Sequence, residues 1–407
     1  MTQPAGGNGP DSYIVVLKEG VQNPGEVARE ISRRNDAEVG FVYRNALKGF
    51  SAVIPTQRLS AVRADDRVLF ISEDRKVEAS AQKLPTGVDR IQGDVSSTKS
   101  GDGTGSVNTA VAIIDTGIDV DHPDLNVAGG RNCSTGRSYD DGNGHGTHVA
   151  GTVAAKDDAS GVVGVAPGAQ VYAVRVLNNA GSGSWSSVVC GIDWVTENAA
   201  SKGIEVANMS LGGTGSDDGN CGNSNNDALH RAICNSVASG VTYVVAAGNS
   251  GADLAGHVPS AYNEVLTVTA MADFNGAPGG GAAATCRTDV DDTSADFSNF
   301  TTVGSSDEGH TIAGPGVCIE STWKGGGYKT ISGTSMASPH VAGTAALCIA
   351  SGQCAGGPAS VASKLRSDAS AQPASYGFKD DPNSPITTGG RRPSTLYYGY
   401  LVYAGGY

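Results

Sequence analysis

The chain has 407 residues and a formal net charge of −13 at pH 7. Residues 1–80 hold as many basic as acidic side chains, so residues 81–407 carry the whole negative excess. An acidic body of this kind disfavours nucleic acids and anionic membranes as partners and favours cations such as Ca²⁺. The sequence also lacks a run of 18 apolar residues, which excludes a membrane-spanning helix of the usual kind.

The first 80 residues predict a disordered stretch followed by a small α+β domain. Residues 1–10 are polar and glycine-rich and lack the charged and apolar regions of a signal peptide. Strands are predicted at residues 12–17, Val39–Arg44, Phe50–Ile54 and Val68–Ile71, and helices from Pro24 to about Arg34 and over Gln57–Ala64, with Thr56 as a cap. The order βαββαβ is typical of a ferredoxin-like sandwich. Residues 75–108 are polar and rich in Gly, Ser and Asp, which predicts an exposed linker.

The following region alternates apolar strands with helical patterns. Strands are predicted at Val111–Ile114, Val171–Val176, Glu205–Met209, Val241–Ala246, Val265–Thr269 and Leu396–Tyr403, and helices at Ser184–Ala199, Asp227–Ser239 and Ser335–Ala350. This alternation predicts an α/β fold with three layers, in which helices cover both faces of a doubly wound, mostly parallel sheet. Active sites of such sheets lie at the carboxyl ends of the strands.

Eight cysteines, all after residue 130, indicate a disulfide framework in an oxidising compartment, and hence a secreted protein. None lies in a C-x-x-C pair, which argues against zinc binding or redox chemistry by the cysteines. Spacing alone leaves every pairing open, and buried free thiols remain an alternative. We expect the sequential pairs Cys133–Cys190, Cys221–Cys234, Cys286–Cys318 and Cys348–Cys354.

Four motifs place reactive side chains at strand ends or helix starts. Asp115 follows the apolar run that begins at Val111, and His145 lies between glycines where a helix begins. Asn249 follows a strand end, and Ser335 stands where a glycine-flanked loop enters an apolar helix. Each residue alone also suits an ordinary turn or cap. Together they supply an acid, a general base, an amide donor and a nucleophile, in the chain order Asp, His, Asn, Ser.

These motifs resemble those of the subtilases, the subtilisin-like serine proteases. The resemblance covers roughly residues 81–350, and residues 11–80 resemble the family's inhibitor-type propeptide. It implies a catalytic domain over residues 81–407, in which Ser335 attacks a peptide carbonyl and His145 transfers the proton. Asp115 would orient His145, and Asn249 would stabilise the oxyanion. Residue 148, a second histidine in the same motif, lacks the Glu and the i, i+4 spacing of a zinc pair.

The resemblance also implies a substrate cleft. Two glycine-containing runs are expected to border an extended peptide: Gly181, Ser182 and Gly183 on one side, and Ser210, Leu211 and Gly212 on the other. The segment Ala246, Ala247 and Gly248 would form the opposite wall of the primary pocket. Trp185, Val188 and Leu211 would line a second apolar pocket, although ordinary helix packing also explains them. His257 falls where many subtilases keep a small residue at the pocket floor, which predicts a shorter pocket for polar or medium side chains.

Maturation and calcium binding are further implications of the resemblance. The sequence from Ala81 resembles a mature N-terminus, so self-cleavage is expected between Ser80 and Ala81. The propeptide would then serve as folding template and intramolecular inhibitor. A structural Ca²⁺ ion is expected at Gln82, Asp124, Lys156, Asp158, Ser160 and Val162. Gln82 is expected to reach this site only after cleavage. Two acidic insertions, at residues 215–226 and 277–293, suit either further calcium sites or disordered loops.

The chain is therefore expected to be a secreted, self-maturing, monomeric serine endopeptidase acting on proteins and peptides. An ester or polyester hydrolase with the same triad, and a non-catalytic binding protein on this fold, are the alternatives.

Overall fold

A computed structural model describes residues 12–74, 82–383 and 395–407. The chain divides into two compact units, residues 1–79 and residues 80–407. The expected cleavage point between residues 80 and 81 lies outside the described residues, as does the expected disorder of residues 1–10.

The first unit is an antiparallel sheet with two helices. Its elements are β1 (Ser12–Leu17), α1 (Pro24–Asn35), β2 (Glu38–Tyr43), β3 (Gly49–Val53), α2 (Leu59–Arg63) and β4 (Val68–Glu73). The sheet order is β2-β3-β1-β4, and its core includes Val15, Ile31 and Phe50. The predicted βαββαβ order is confirmed. The expected capping role of Thr56 is wrong, because that residue lies within a short 3₁₀ turn that precedes α2.

The second unit contains eight strands in one sheet, with helices on both faces. Its helices are α3 (Thr86–Arg90), α4 (His145–Ala154), α5 (Trp185–Lys202), α6 (Ala228–Ala238), α7 (Thr334–Ala350) and α8 (Pro358–Ser370). Its longer strands are β5 (Ala110–Asp115), β6 (Val127–Asn132), β7 (Val171–Arg175), β8 (Ile204–Met209), β10 (Thr242–Ala246), β12 (Leu266–Ala272), β15 (Thr311–Pro315), β16 (Ile319–Trp323) and β17 (Gly327–Ile331). Two-residue strands complete the set: β9 (Gly213–Thr214), β11 (His257–Val258), β13 (Thr293–Ser294), β14 (Thr301–Thr302) and β18 (Leu396–Tyr397).

The order of the main sheet is β13-β12-β10-β8-β5-β7-β6, with β15 paired to β12. All of these pairings are parallel except that of β13. Alternate residues of β5 enter different cores. Val111 and Ile113 pack in the core that contains residues of α4 and α7, whereas Ala112 and Ile114 pack with residues of α5 and α6. The predicted three-layer α/β architecture is confirmed.

The expected linker between the units is wrong for the part of it that is described. Residues 82–108 include α3, and Val88, Arg90 and Ile91 are buried. Arg90 Nη2 donates a 2.9 Å hydrogen bond to Asp292, which lies far away in sequence. The segment is polar on average, but a few of its apolar side chains are buried and one of its arginines forms a buried ion pair. The late strand expected over residues 396–403 extends only over Leu396–Tyr397.

All four expected disulfides are present, so the sequential pairing is confirmed. Within the described part of the chain, no helix combines the length and apolar character needed to cross a bilayer.

Candidate active site

Asp115 and His145 meet at the carboxyl edge of the sheet. Asp115 is the last residue of β5 and is completely buried, and His145 is the first residue of α4. Their side chains share a 2.8 Å hydrogen bond between His145 Nδ1 and Asp115 Oδ1. Although burial lowers the pKa of His145, the charge and hydrogen bond of Asp115 outweigh it and raise that pKa above its usual 6.5. The pair is therefore an oriented base with its second ring nitrogen free for chemistry.

Asp141 organises the loop that carries His145, a role that sequence analysis missed. Its buried carboxylate accepts the N–H of Gly144 at 2.9 Å and the N–H of Thr147 at 3.0 Å. It also accepts the hydroxyl of Thr116, which in turn accepts the N–H of the residue after His145. A buried carboxylate is tolerated when such donors satisfy it. The network fixes the start of α4 against the end of β5.

Ser335 is the second residue of α7, where backbone N–H groups have no partner in their own helix. Its hydroxyl donates to the carbonyl oxygen of Ser210 at 3.2 Å rather than to His145. The Ser210 hydroxyl donates back to the Ser335 carbonyl at 2.8 Å. Buried Asn208 extends this link, since it donates to Ser210 and accepts from Ser338. The start of α7 is thus fixed to the end of β8, where Ser335 Oγ is hydrogen-bonded to the Ser210 carbonyl.

Asn249 lies beside the same helix terminus. Its Oδ1 accepts the N–H of Thr334 at 2.8 Å and the hydroxyl of Thr334 at 2.9 Å. These two donors fix the orientation of the amide and leave Nδ2 available. Nδ2 lies 3.5 Å from the point that a Cβ on Gly333 would occupy. The structure therefore brings an amide donor and the Ser335 backbone N–H to one side of α7, and Thr334 is a supporting residue that sequence analysis missed.

The expected borders of a substrate cleft follow strand ends. Gly181, Ser182 and Gly183 form an exposed turn before α5, closed by a 2.9 Å bond from Asn178 N–H to the Ser182 carbonyl. Ser210, Leu211 and Gly212 follow β8, while Ala246 ends β10 and Ala247 and Gly248 follow it. Because β8 and β10 are paired neighbours, these two segments leave the sheet side by side.

His257 lies between the segment at residues 211–212 and the segment at residues 246–248. The pairing of β9 with β11 brings His257 against the segment at residues 211–212. Its Cε1 would be 2.3 Å from a Cβ on Gly212 and 3.1 Å from one on Gly248. The imidazole edge therefore faces both glycines. Burial lowers the pKa of His257.

The three residues expected to line a second pocket differ in how far their side chains are exposed. Trp185 is 39% exposed and its ring lies against Gly213, whereas Val188 is buried in the core and Leu211 packs against that same core. Trp185 and Leu211 remain accessible to a ligand.

Asp124 is the buried carboxylate of the expected calcium site. It is 3% exposed, and its Oδ2 accepts the N–H of Val162 at 3.0 Å and the hydroxyl of Tyr328 at 3.3 Å. Its Oδ1 is buried without a hydrogen-bond partner. Burial raises the pKa of Asp124 to about 6. An orphaned anionic oxygen of this kind fits a cation as partner.

The other expected ligands gather around Asp124. Gln82 donates from Nε2 to the Lys156 carbonyl at 2.8 Å, so the expectation that it arrives only after cleavage is wrong for the intact chain. Lys156 N–H donates to the Asp124 carbonyl at 3.0 Å. Asp158 is exposed and accepts from the N–H and hydroxyl of Ser160. The donor set of carboxylate, amide and carbonyl oxygens suits Ca²⁺.

The acidic insertion at residues 277–293 is ordered by its own carboxylates. Asp289 pairs with Arg287 at 2.8 Å. Asp291 accepts the N–H groups of Phe274 and Ala282. These contacts hold the insertion in an ordered conformation, so the alternative of a disordered loop is wrong for this insertion.

Comparison with known proteins decides the family. A model of the subtilase family matches residues 106–383, and a model of peptidase inhibitor I9 matches residues 12–80. The chain belongs to the subtilase family. It is a serine endopeptidase with a propeptide domain at its N-terminus, as the sequence motifs predicted.

This subtilase is similar to several bacterial proteases. It is 41% identical to subtilisin DY of Bacillus licheniformis over 273 residues, which cover 66% of this chain and 85% of that protein. It is 37% identical to an alkaline protease of Alkalihalobacillus alcalophilus over 319 residues, or 78% and 73% of the two chains. Among solved structures, a cold adapted subtilisin-like serine proteinase matches with a TM-score of 0.57 and 32% identity, covering 80% of this chain and 99% of the other.

Proposed function

We propose that Ser335, His145 and Asp115 are the catalytic triad of this subtilase and that Asn249 completes its oxyanion site. The observation that carries the proposal is the 2.8 Å Asp115–His145 bond beside a helix start that presents Ser335. Asp115 accepts a hydrogen bond from His145 Nδ1. The neutral imidazole of His145 therefore carries its proton on Nδ1, and Nε2 is the basic nitrogen.

In the proposed mechanism, Ser335 Oγ leaves the Ser210 carbonyl and attacks the peptide carbonyl carbon while its proton passes to His145 Nε2. The negative oxygen of the tetrahedral intermediate accepts hydrogen bonds from Asn249 Nδ2 and the Ser335 N–H. Collapse of the intermediate breaks the C–N bond, and His145 protonates the leaving amine. A water molecule, deprotonated by His145, then attacks the acyl carbon, the ester C–O bond to Ser335 breaks, and His145 returns the proton to Ser335 Oγ. Asp115 stabilises the imidazolium in both steps.

The substrate is proposed to bind as an added strand between the exposed Gly181–Gly183 turn and the Ser210–Gly212 segment. Trp185 and Leu211 would contact an apolar side chain upstream of the cleaved bond. The exposed backbone of residues 181–183 and of Gly212 favours a peptide over an ester or polyester substrate.

His257 is proposed to set the preference at the cleaved residue. Ser260 donates its hydroxyl proton to the His257 carbonyl at 2.8 Å, so its oxygen accepts from His257 Nδ1 at 3.2 Å. Nε2 of the neutral ring is then a hydrogen-bond acceptor. The ring shortens the pocket between Gly212 and Gly248, which favours polar side chains of medium length that donate a hydrogen bond.

A structural calcium ion is proposed to bind at Asp124 and Gln82, with carbonyl oxygens of Lys156, Ser160 and Val162 and the side chain of Asp158. When bound, the ion neutralises the buried Asp124 carboxylate and holds the segment after residue 81 to the 156–162 loop. It takes no part in peptide hydrolysis.

The domain that matches peptidase inhibitor I9 is proposed to be removed by self-cleavage near residues 80 and 81, in an extracellular setting that preserves the disulfides. The match to that family ends at residue 80, which supports this boundary. We expect the intact mass of purified protein to fall with time by the mass of residues 1–80, and the Ser335→Ala variant to stay whole. Identical processing of that variant, or an unchanged mass in the wild type, would contradict self-maturation.

A further inference from the structure

His230 is held rigidly beneath the acidic insertion at residues 215–226. It lies in the first turn of α6 and is fully buried. Its ring stacks on Tyr262 with 4.0 Å between the ring centroids and 1° between the planes. The Tyr262 hydroxyl donates to Asp227, the residue that caps α6. This stacking fixes where both nitrogens of His230 lie.

One nitrogen of His230 has an evident partner. Nε2 lies 2.8 Å from Glu264 Oε2. A carboxylate only accepts hydrogen bonds, so Nε2 carries a proton. In the neutral ring the lone pair is therefore on Nδ1.

The other nitrogen faces two carboxylates without a hydrogen bond to either. Nδ1 is 3.2 Å from Asp218 Oδ1 and 3.4 Å from Asp217 Oδ1. It is buried, and neither contact has hydrogen-bond geometry. A lone pair that faces two anionic oxygens is repelled by them unless a positive charge lies between the three atoms.

The geometry favours a metal ion over a proton as that charge. A proton on Nδ1 would form a directed bond to one oxygen, and neither oxygen lies where it could accept one. A tetrahedral ion with ligand bonds of about 2.0–2.2 Å instead separates its ligand atoms by about 3.4 Å. The 3.2 Å and 3.4 Å distances from Nδ1 to the two oxygens fit that separation. Histidines that bind metals also commonly donate their other N–H to a carboxylate, as His230 does to Glu264.

The carboxylates are fixed in place before any ion binds. Asp217 Oδ1 accepts the Gly219 N–H at 2.9 Å, and its Oδ2 accepts the Asn263 amide at 2.7 Å. Asp218 accepts four backbone N–H groups, from Asn220, Gly222, Ser224 and Asn225. The insertion thus presents both carboxylates in a preformed loop.

We propose that Asp217, Asp218 and His230 Nδ1 bind a divalent transition-metal ion of the Zn²⁺ type, with water in the fourth position and Glu264 orienting the imidazole. The nitrogen donor distinguishes this site from the all-oxygen site at Asp124, because calcium prefers oxygen ligands. The neighbouring Cys221 and Cys234 are joined as a disulfide and supply no thiolate.

The ion would connect the insertion at residues 215–226 to α6, beside the substrate cleft. The insertion begins directly after β9, and β9 pairs with β11, which carries His257. Glu264 links the same histidine to the segment between β11 and β12. Metal binding would therefore hold one wall of the primary pocket as well as the insertion.

The site is tested on the full chain carrying Ser335→Ala, so that self-cleavage does not interfere, with calcium in excess. Titration with Co²⁺ is followed by visible absorption, and Zn²⁺ is counted by elemental analysis after removal of the excess. We expect one Zn²⁺ per chain and an intense Co²⁺ spectrum typical of four-coordinate sites, which Zn²⁺ abolishes. Asp217→Asn and His230→Gln should lose stoichiometric binding, and Glu264→Gln should bind about 10- to 100-fold more weakly. Asp121→Asn, an exposed residue elsewhere, is the matched control.

Absence of bound Zn²⁺ and of the Co²⁺ spectrum in the parent chain would overturn the proposal. Binding that is unchanged in Asp217→Asn and Glu264→Gln would overturn it too. These two variants decide the question even where His230→Gln fails to fold.

Discussion

Replacing Asp124 with asparagine should have opposite effects on stability without and with calcium. Asp124 is 3% exposed, and burial raises its pKa from 3.8 to about 6 in the cation-free fold. Because the folded protein binds this proton more tightly than the unfolded chain, the free energy of unfolding falls as pH rises from about 4 to about 6. Above that window the buried charge destabilises the fold by its full amount.

The size of this destabilisation follows from the pKa shift of Asp124. About two pKa units correspond to about 3 kcal/mol at neutral pH. Asp124→Asn removes that cost, so without calcium near pH 7 the variant should be more stable than the parent by up to about 3 kcal/mol. With calcium the order should reverse. The parent gains about 4.1 kcal/mol at a free calcium concentration about 1,000-fold above the dissociation constant, which exceeds that cost, and the variant has lost the ligand oxygen that secures the ion.

The assay is thermal unfolding of the full chain carrying Ser335→Ala, in EDTA and in calcium, near pH 5 and near pH 7. Asp121→Asn, which makes the same charge change at an exposed site three residues away, should show neither effect. A variant that is less stable than the parent in EDTA near pH 7, or that keeps the full response to calcium, would refute the reasoning.

Three further predictions concern catalysis. Asp115 raises the pKa of His145 above 6.5, and only the neutral imidazole can accept a proton from Ser335. We therefore expect kcat/KM to rise with pH through a midpoint above 6.5. A midpoint below 6.5 would contradict the pairing of Asp115 with His145. Asn249→Ala should lower kcat by about 10²–10³ with little change in KM, the loss typical of removing one oxyanion donor; an unchanged kcat would exclude the oxyanion role. His257→Gly should shift cleavage of a peptide library toward large apolar residues, and an unaltered preference would remove His257 from the pocket.

Much of the fold follows from local patterns. The four apolar residues before Asp115 predict a strand buried on both faces, and the structure places them alternately in two cores. Glycines around His145 and before Ser335 mark strand-to-helix turns at one edge of the sheet. These features are local in sequence, so the side chains expected in the site could be named before their distances were known.

What the sequence did not reveal depends on contacts between distant residues. The segment around Arg90 has the composition of a linker, but its buried guanidinium pairs with Asp292, about 200 residues later. Asp141 lies inside the His145 motif, yet its hydrogen bonds to Thr116 appear only when β5 and α4 meet. The insertion at residues 215–226 carried no recognisable metal motif, because its histidine belongs to α6.

The orientation of a side chain is a further limit. The Ser335 motif indicates a nucleophile at a helix start, but spacing cannot tell that its hydroxyl rests on the Ser210 carbonyl. That choice depends on the packing of β8 against α7. Rotation about a single side-chain bond is all that separates this orientation from others, and it has no signature in the sequence.

The central claim is that Ser335 is a nucleophile activated by His145. The most direct measurement is treatment of the wild type with a phosphonofluoridate, followed by peptide mass mapping. We predict one adduct per chain, on Ser335, formed together with loss of peptidase activity, and strongly slowed labelling in His145→Ala. Complete inactivation with the label on another residue, or labelling of Ser335 at an equal rate without His145, would contradict the account.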